Sequence, residues 1–104
     1  MTSADLLVQD EILSALFAYY NFSKRKYQAA IVGTLDLKEL IEAVEQERAI
    51  VRLNVIKLVK RWFVENVNGN GDYRITTNGI DVFREKIIRY EQAALKNTED
   101  LNNA

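Results

Sequence analysis

Residues 48–79 read RAIVRLNVIKLVKRWFVENVNGNGDYRITTNG, and this stretch decides which fold the 104-residue chain can adopt. Its first part, over about residues 48–61, repeats apolar residues at helical spacing and predicts a helix with one core-facing stripe. That stripe consists of Val51, Val55, Leu58 and Trp62. The second part has β-prone residues on both sides of NGNG, residues 68–71, which is a strong turn signal. We therefore predict a helix followed directly by one β-hairpin.

Three further helices are expected around this stretch. Helical spacing of apolar residues predicts a first helix over about residues 3–22 and a last helix over about residues 78–96. A short second helix begins at Asp36, because Asp36 and Glu39 have the spacing of a capping box, and it ends near Glu45. The expected fold class is therefore mainly α with one β-hairpin.

The length and composition restrict the class of protein. A chain of 12.0 kDa forms one domain over residues 1–104, since two independent cores would not fit. It has no cysteine and no histidine, which excludes thiol catalysis, disulfides and nearly all zinc sites. No nucleophile–base pair or phosphate-binding loop occurs, so we expect no enzyme activity, metal or cofactor. The conformation of the linker over residues 23–33 is undecided, since residues 27–32 within it fit either a short strand or a further helical turn.

The N-terminus and the hydropathy pattern bear on location. The sequence begins MTSADLLVQDE, which is acidic and polar where a secretory signal is basic and then apolar. No apolar run approaches the roughly 18 residues that a membrane span needs. We therefore expect a cytoplasmic protein with no membrane partner.

Charge is distributed unevenly along the chain. The net charge is −1, yet residues 48–61 contain five basic residues and no acidic residue. The basic residues are Arg48, Arg52, Lys57, Lys60 and Arg61. This run fits either a solvated helix face paired with the acidic segment 34–47 or a surface that attracts an anionic partner.

A motif after the hairpin resembles a known family. In GDYRITTNGIDVF, residues Tyr73, Ile75, Thr76 and Gly79 are similar to the Tyr-x-Leu-Thr-x-x-Gly that ends the wing in MarR-like, PadR-like and related archaeal regulators. The expected order of elements is also that of a winged helix-turn-helix domain. Residues 35–85, roughly half of the chain, thus resemble the core of a winged-helix transcription regulator with a long C-terminal helix.

The resemblance implies that the protein binds double-stranded DNA. The helix over residues 48–61 corresponds to the recognition helix, which reads base edges in the major groove, and residues 68–71 correspond to the wing tip. An asparagine can pair with adenine and an arginine with guanine. The implied DNA-binding residues are Arg48, Arg52, Asn54, Lys57 and Arg61 in the helix, with Asn70 and Arg74 in the wing. The family usually has glycine after this helix, where the present chain has Trp62.

Two kinds of protein contact are also expected. The last helix has apolar residues at heptad positions a and d, and the resembled regulators often use this helix to form a homodimer. The expected dimer interface consists of Ile80, Phe83, Ile87, Tyr90 and Ala94. Ile50 and Leu53 lie off the core stripe of the basic helix. An alternative hypothesis is therefore a winged-helix adaptor that binds a protein partner through Ile50 and Leu53.

Overall fold

The computed structural model of the protein describes residues 3–27, 33–67 and 69–102. Over these ranges the chain is mainly helical, with a small antiparallel sheet. The helices are α1 (Ser3–Tyr27), α2 (Leu37–Val44), α3 (Arg48–Lys60) and α4 (Thr77–Asn102), and the strands are β1 (Leu35–Asp36), β2 (Val64–Val67) and β3 (Asp72–Ile75). Among the helices so described, none combines the length and apolarity that crossing a membrane requires.

The outer helices are longer than predicted. Helix α1 continues past residue 22 to Tyr27, so the first part of the segment left open by the sequence is helical. Residues 28–32, the rest of that undecided segment, lie outside the described ranges. Helix α4 continues past residue 96 to Asn102. Neither extension contains a glycine or a proline that would end a helix.

The predicted hairpin is confirmed and belongs to a three-stranded sheet. Strands β2 and β3 pair antiparallel, with Val64 opposite Ile75. Strand β1 pairs with the other edge of β3, with Leu35 opposite Tyr73, which gives the order β1-β3-β2. The sequence did not predict β1, because two residues are too few to show the alternation by which a strand is recognised.

Helices α1, α2 and α3 enclose the core together with the inner face of the sheet. The buried apolar residues are Val8, Ile12, Leu13, Leu16, Leu35, Leu40, Val44, Val51, Val55, Leu58, Val64 and Ile75. Three of the four predicted stripe residues of α3 are among them. The fourth prediction, Trp62, is wrong: the residue is 75% exposed, because α3 ends at Lys60 and the chain turns before reaching it.

Helix α3 ends in a Schellman motif. The N–H of Trp62 donates to the carbonyl of Val59, and the N–H of Phe63 donates to the carbonyl of Leu58, each at 3.1 Å. This motif holds Trp62 at a φ of 62°, a left-handed conformation that glycine adopts without strain. The Thr76 hydroxyl donates to the Trp62 carbonyl at 2.6 Å. A tertiary contact therefore stabilises a corner that costs roughly 1–2 kcal/mol in backbone energy.

The first turn of α4 packs against the same corner. Thr76 caps the helix by accepting a hydrogen bond from the N–H of Gly79 at 3.0 Å. A Cβ atom at Gly79 would lie 2.2 Å from the carbonyl oxygen of Phe63. Glycine at this position thus allows α4 to approach the backbone that leads into the hairpin.

Helices α2 and α3 are joined by a three-residue turn. The predicted capping box at the start of α2 is confirmed: the Glu39 N–H donates to Asp36 Oδ1 at 2.8 Å, and the Asp36 N–H donates to Glu39 Oε1 at 3.2 Å. Glu45 ends α2 in the left-handed region, with a φ of 53°. The chain re-enters a helix at Arg48, so a turn over residues 45–47 separates α2 from α3.

Candidate nucleic-acid interface

The buried and exposed sides of α3 determine which of its residues could meet a partner. Its buried side holds Val51, Asn54, Val55 and Leu58. The opposite side, called here the outer face of α3, is exposed to solvent and consists of Arg48, Ala49, Arg52, Leu53, Ile56 and Lys60. Since this helix follows the turn and precedes the hairpin, its outer face is the candidate site.

Three cations of the outer face pair with no carboxylate over the ranges that the structure describes. Arg48, Arg52 and Lys60 are exposed, and none forms an ion pair or a side-chain hydrogen bond with the other described residues. Arg48 and Lys60 stand at the two ends of the helix, twelve residues or about 18 Å apart, with Arg52 between them. The outer face therefore offers three positive charges, spread along one helix, to an anionic partner.

Aliphatic side chains lie between these cations. Leu53 is 48% exposed and Ile56 is 42% exposed, and Ile50 on the flank is 37% exposed. The prediction that Ile50 and Leu53 lie off the core stripe is confirmed. Exposed aliphatic groups can contact the methyl group of thymine or the apolar surface of a protein.

The two remaining cations of the basic run, Lys57 in α3 and Arg61 directly after it, are bound to α1. Lys57 Nζ lies 3.3 Å from Asp5 Oδ2. Arg61 Nη1 donates to Gln9 Oε1 at 2.8 Å, and its guanidinium carbon lies 4.6 Å from the centroid of the Phe63 ring. Both residues were predicted to face DNA, and the structure instead joins both to another element of the same chain.

The prediction that Asn54 contacts a base is wrong. Its side chain is 0% exposed and makes three hydrogen bonds within the domain. It accepts from Gln9 Nε2 at 3.1 Å and donates to the Ile50 carbonyl at 2.9 Å and to Asp5 Oδ1 at 3.4 Å. The sequence held a signal for this burial, since Asn54 lies three residues after Val51 and four before Leu58, on the core stripe.

Asp5 and Gln9 of α1 were missed as site residues. Four residues apart, they lie on the same side of α1 and face α3. Their partners lie about fifty residues later in the sequence, at a separation of 52 for both Asp5–Lys57 and Gln9–Arg61. A pattern of neighbouring residues cannot predict a pairing between residues so far apart in sequence.

The hairpin contributes little positive charge to the site. Arg74 is its only basic residue and pairs with Glu65, directly across from it on β2. Asn70 is exposed at the turn, while Asn68 of the predicted wing tip lies outside the described residues. Gly69 and Gly71 have φ values of 69° and 82°, which agrees with the tight turn that NGNG predicted.

The predicted dimer residues of α4 fall into two groups. Ile80 and Phe83 pack against the core of their own chain, with the Phe83 ring centroid 5.1 Å from that of Phe17. Both side chains are therefore half-buried within their own chain. Ile87 is half-buried, whereas Tyr90 and Ala94 are exposed.

No protein-family model matches the chain, and neither a curated protein nor a solved structure is significantly similar to it.

Proposed function

We propose that the protein binds double-stranded DNA through the outer face of α3, as a winged-helix transcriptional regulator. The observation that carries this proposal is a set of three cations, Arg48, Arg52 and Lys60, on the exposed side of the helix that follows the turn, which pair with no carboxylate among the described residues. The sequence of helix, turn, helix and hairpin supports it, since a recognition helix in such an arrangement enters the major groove. The cytoplasmic location expected from the sequence belongs to the same proposal.

Each residue of the outer face has a role in this proposal. Arg52, near the middle of the face, reads a guanine through two hydrogen bonds. Arg48 and Lys60 contact phosphates on either side and fix the helix in register. Leu53 and Ile56 contact thymine methyl groups. The hairpin adds backbone amides rather than cations, because Arg74 is bound to Glu65.

The test is a titration of duplex DNA at several salt concentrations, with Arg52→Glu as the variant. We expect affinity to fall steeply with salt, because each phosphate contact releases a counterion. Arg52→Glu should weaken binding at low salt by about tenfold or more. Arg89→Glu on α4 is the matched control, since it makes the same charge change on an exposed helix and should alter affinity far less. Absence of duplex binding by the wild type at low salt would contradict the proposal.

The exposed aliphatic residues favour a second candidate function. Ile50, Leu53 and Ile56 together form an apolar surface that a protein partner could cover, as in a winged-helix adaptor. An apolar protein contact changes little with salt, whereas DNA binding changes strongly. The salt titration therefore separates the two functions.

We further propose that the protein is a homodimer formed through α4. Its exposed apolar residues Ile88 and Leu95 lie on one stripe of the helix together with Arg84 and Glu91. In chain order these four residues are separated by four, three and four positions, which places them on the same side of a helix. Within the described residues, Arg84 has no carboxylate partner and Glu91 has no cationic partner. An antiparallel second copy, with its two-fold axis near Ile88, brings Arg84 opposite the partner's Glu91 in both directions. Because the charges of this stripe complement themselves in that arrangement, we infer that a second copy of the chain covers it.

Charge reversal tests that arrangement. Arg84→Glu and Glu91→Arg should each weaken the dimer at least about tenfold in sedimentation equilibrium, because each turns two attractive pairs into repulsive ones. An equimolar mixture of the two variants should recover the wild-type association, since every pair is then attractive. A wild-type protein that stays monomeric at all concentrations, or a mixture no stronger than its components, would refute this interface.

A further inference from the structure

Helix α1 holds two hydrogen-bond acceptors against Lys57 and Arg61 of the basic run. Asp5 Oδ2 lies 3.3 Å from Lys57 Nζ, and Gln9 Oε1 accepts from Arg61 Nη1 at 2.8 Å. The Asp5 and Lys57 side chains are only 22% and 31% exposed, so this pair lies in the α1–α3 interface rather than in open solvent. Lys57 thus pairs with a carboxylate of its own chain, whereas the outer-face cations have no such partner in the described part of the chain.

Buried groups hold these acceptors in position. Gln9 is 1% exposed and donates its amide to Asn54 at 3.1 Å, while Asn54 donates to the second oxygen of Asp5 at 3.4 Å. Hydrogen bonds therefore run without a break from Arg61 through Gln9, Asn54 and Asp5 to Lys57. Across the described residues, no buried side-chain nitrogen or oxygen lacks a partner. Asp5 cannot turn away from Lys57 without breaking this network.

We infer that Asp5 is a positioning residue of the DNA site, and that it withholds Lys57 from the nucleic acid by taking the place of a phosphate. The inference rests on the proposed function. A phosphate that approached Lys57 would have to displace the Asp5 carboxylate or accept its repulsion. The site therefore binds through Arg48, Arg52 and Lys60, and Asp5 sets both its affinity and the salt dependence of that affinity.

Asp5→Asn tests this inference directly. Asparagine keeps an oxygen that accepts from Asn54, but it removes the charge that holds Lys57. Binding of the intact protein to duplex DNA should become about tenfold tighter near 0.1 M salt, and the slope of log affinity against log salt should steepen by about 0.9, as for one added phosphate contact. Adding Lys57→Gln to this variant should abolish both gains.

Asp10→Asn is a matched control. Asp10 also lies on α1 at similar exposure and also pairs with a lysine, Lys86, at 2.6 Å, but that lysine belongs to α4. Both variants make the same change in net charge, so a general effect of charge appears in both. Only Asp5→Asn should steepen the salt slope.

A second pair of variants leaves Asp5 in place, so that the test does not depend on the folding of Asp5→Asn. In an otherwise wild-type chain, Lys57→Gln should leave the slope unchanged, whereas Lys60→Gln should reduce it by about 0.9. Equal slopes for Asp5→Asn and Asp10→Asn, or a reduced slope for Lys57→Gln, would overturn the inference while DNA binding stood. No binding by the wild type would overturn the proposed function itself.

Discussion

Gly79→Ala is expected to lower the free energy of unfolding by about 3 kcal/mol. The added Cβ atom would lie 2.2 Å from the Phe63 carbonyl oxygen and 2.7 Å from Ile75 Cγ1. That carbonyl already accepts a hydrogen bond from the Thr76 N–H at 3.0 Å, so it cannot move without loosening the corner between α3 and the hairpin. The steric clash can therefore be relieved only if α4 shifts away from the sheet.

Helix propensity alone predicts the opposite sign for this substitution. Gly79 lies in α4, where alanine is favoured over glycine by about 1 kcal/mol in the absence of tertiary contacts. Asn78→Ala, one residue earlier and exposed, is the control and should change stability by no more than about 0.5 kcal/mol. Urea denaturation followed by circular dichroism measures both. A Gly79→Ala protein as stable as Asn78→Ala would show that the close approach imposes no constraint.

Asn54→Leu should have the other large effect on stability, about 2–3 kcal/mol. Leucine has a similar volume but cannot accept the hydrogen bond from Gln9 Nε2, and it leaves that buried donor without its partner. An unsatisfied buried polar group costs about 1–3 kcal/mol, and Asp5 loses a donor as well. The loss should appear as a lower denaturation midpoint with an unchanged m-value.

A double substitution separates the hydrogen-bond network from simple packing. Replacing both partners of a buried hydrogen bond by apolar groups is close to neutral, so Gln9→Leu combined with Asn54→Leu should recover about half of the loss or more. Additive losses in this double-mutant cycle would mean that the two amides do not act as a pair.

The parts of the fold that were predictable are those set by neighbours in sequence. Asp36 and Glu39 are three residues apart, and their capping box fixed the start of α2. The turn over residues 68–71 fixed the hairpin because its glycines tolerate left-handed backbone. In each case the interaction that determines the structure lies within one turn of the chain.

Only part of the candidate site could be predicted, because some of its contacts join residues that are far apart in sequence. Arg48 and Arg52 were assigned to DNA from the family resemblance together with their charge, and both are exposed. Charge does not reveal that Lys57 meets Asp5 across a sequence separation of 52. Asn54 was assigned to DNA from the family resemblance and its residue type, although its place on the core stripe indicated burial. Residue type suggested which side chains could bind DNA, whereas their position around the helix determined which of them are exposed to it.

The left-handed corner at Trp62 has a spectroscopic consequence. The chain has one tryptophan, and its indole stands in solvent at the junction between α3 and the hairpin rather than in the core. Its ultraviolet emission in the native protein therefore lacks the blue shift of a buried indole. Intrinsic fluorescence of this protein therefore reports changes in the environment of that junction, whereas circular dichroism is needed to follow unfolding of the helices around the core.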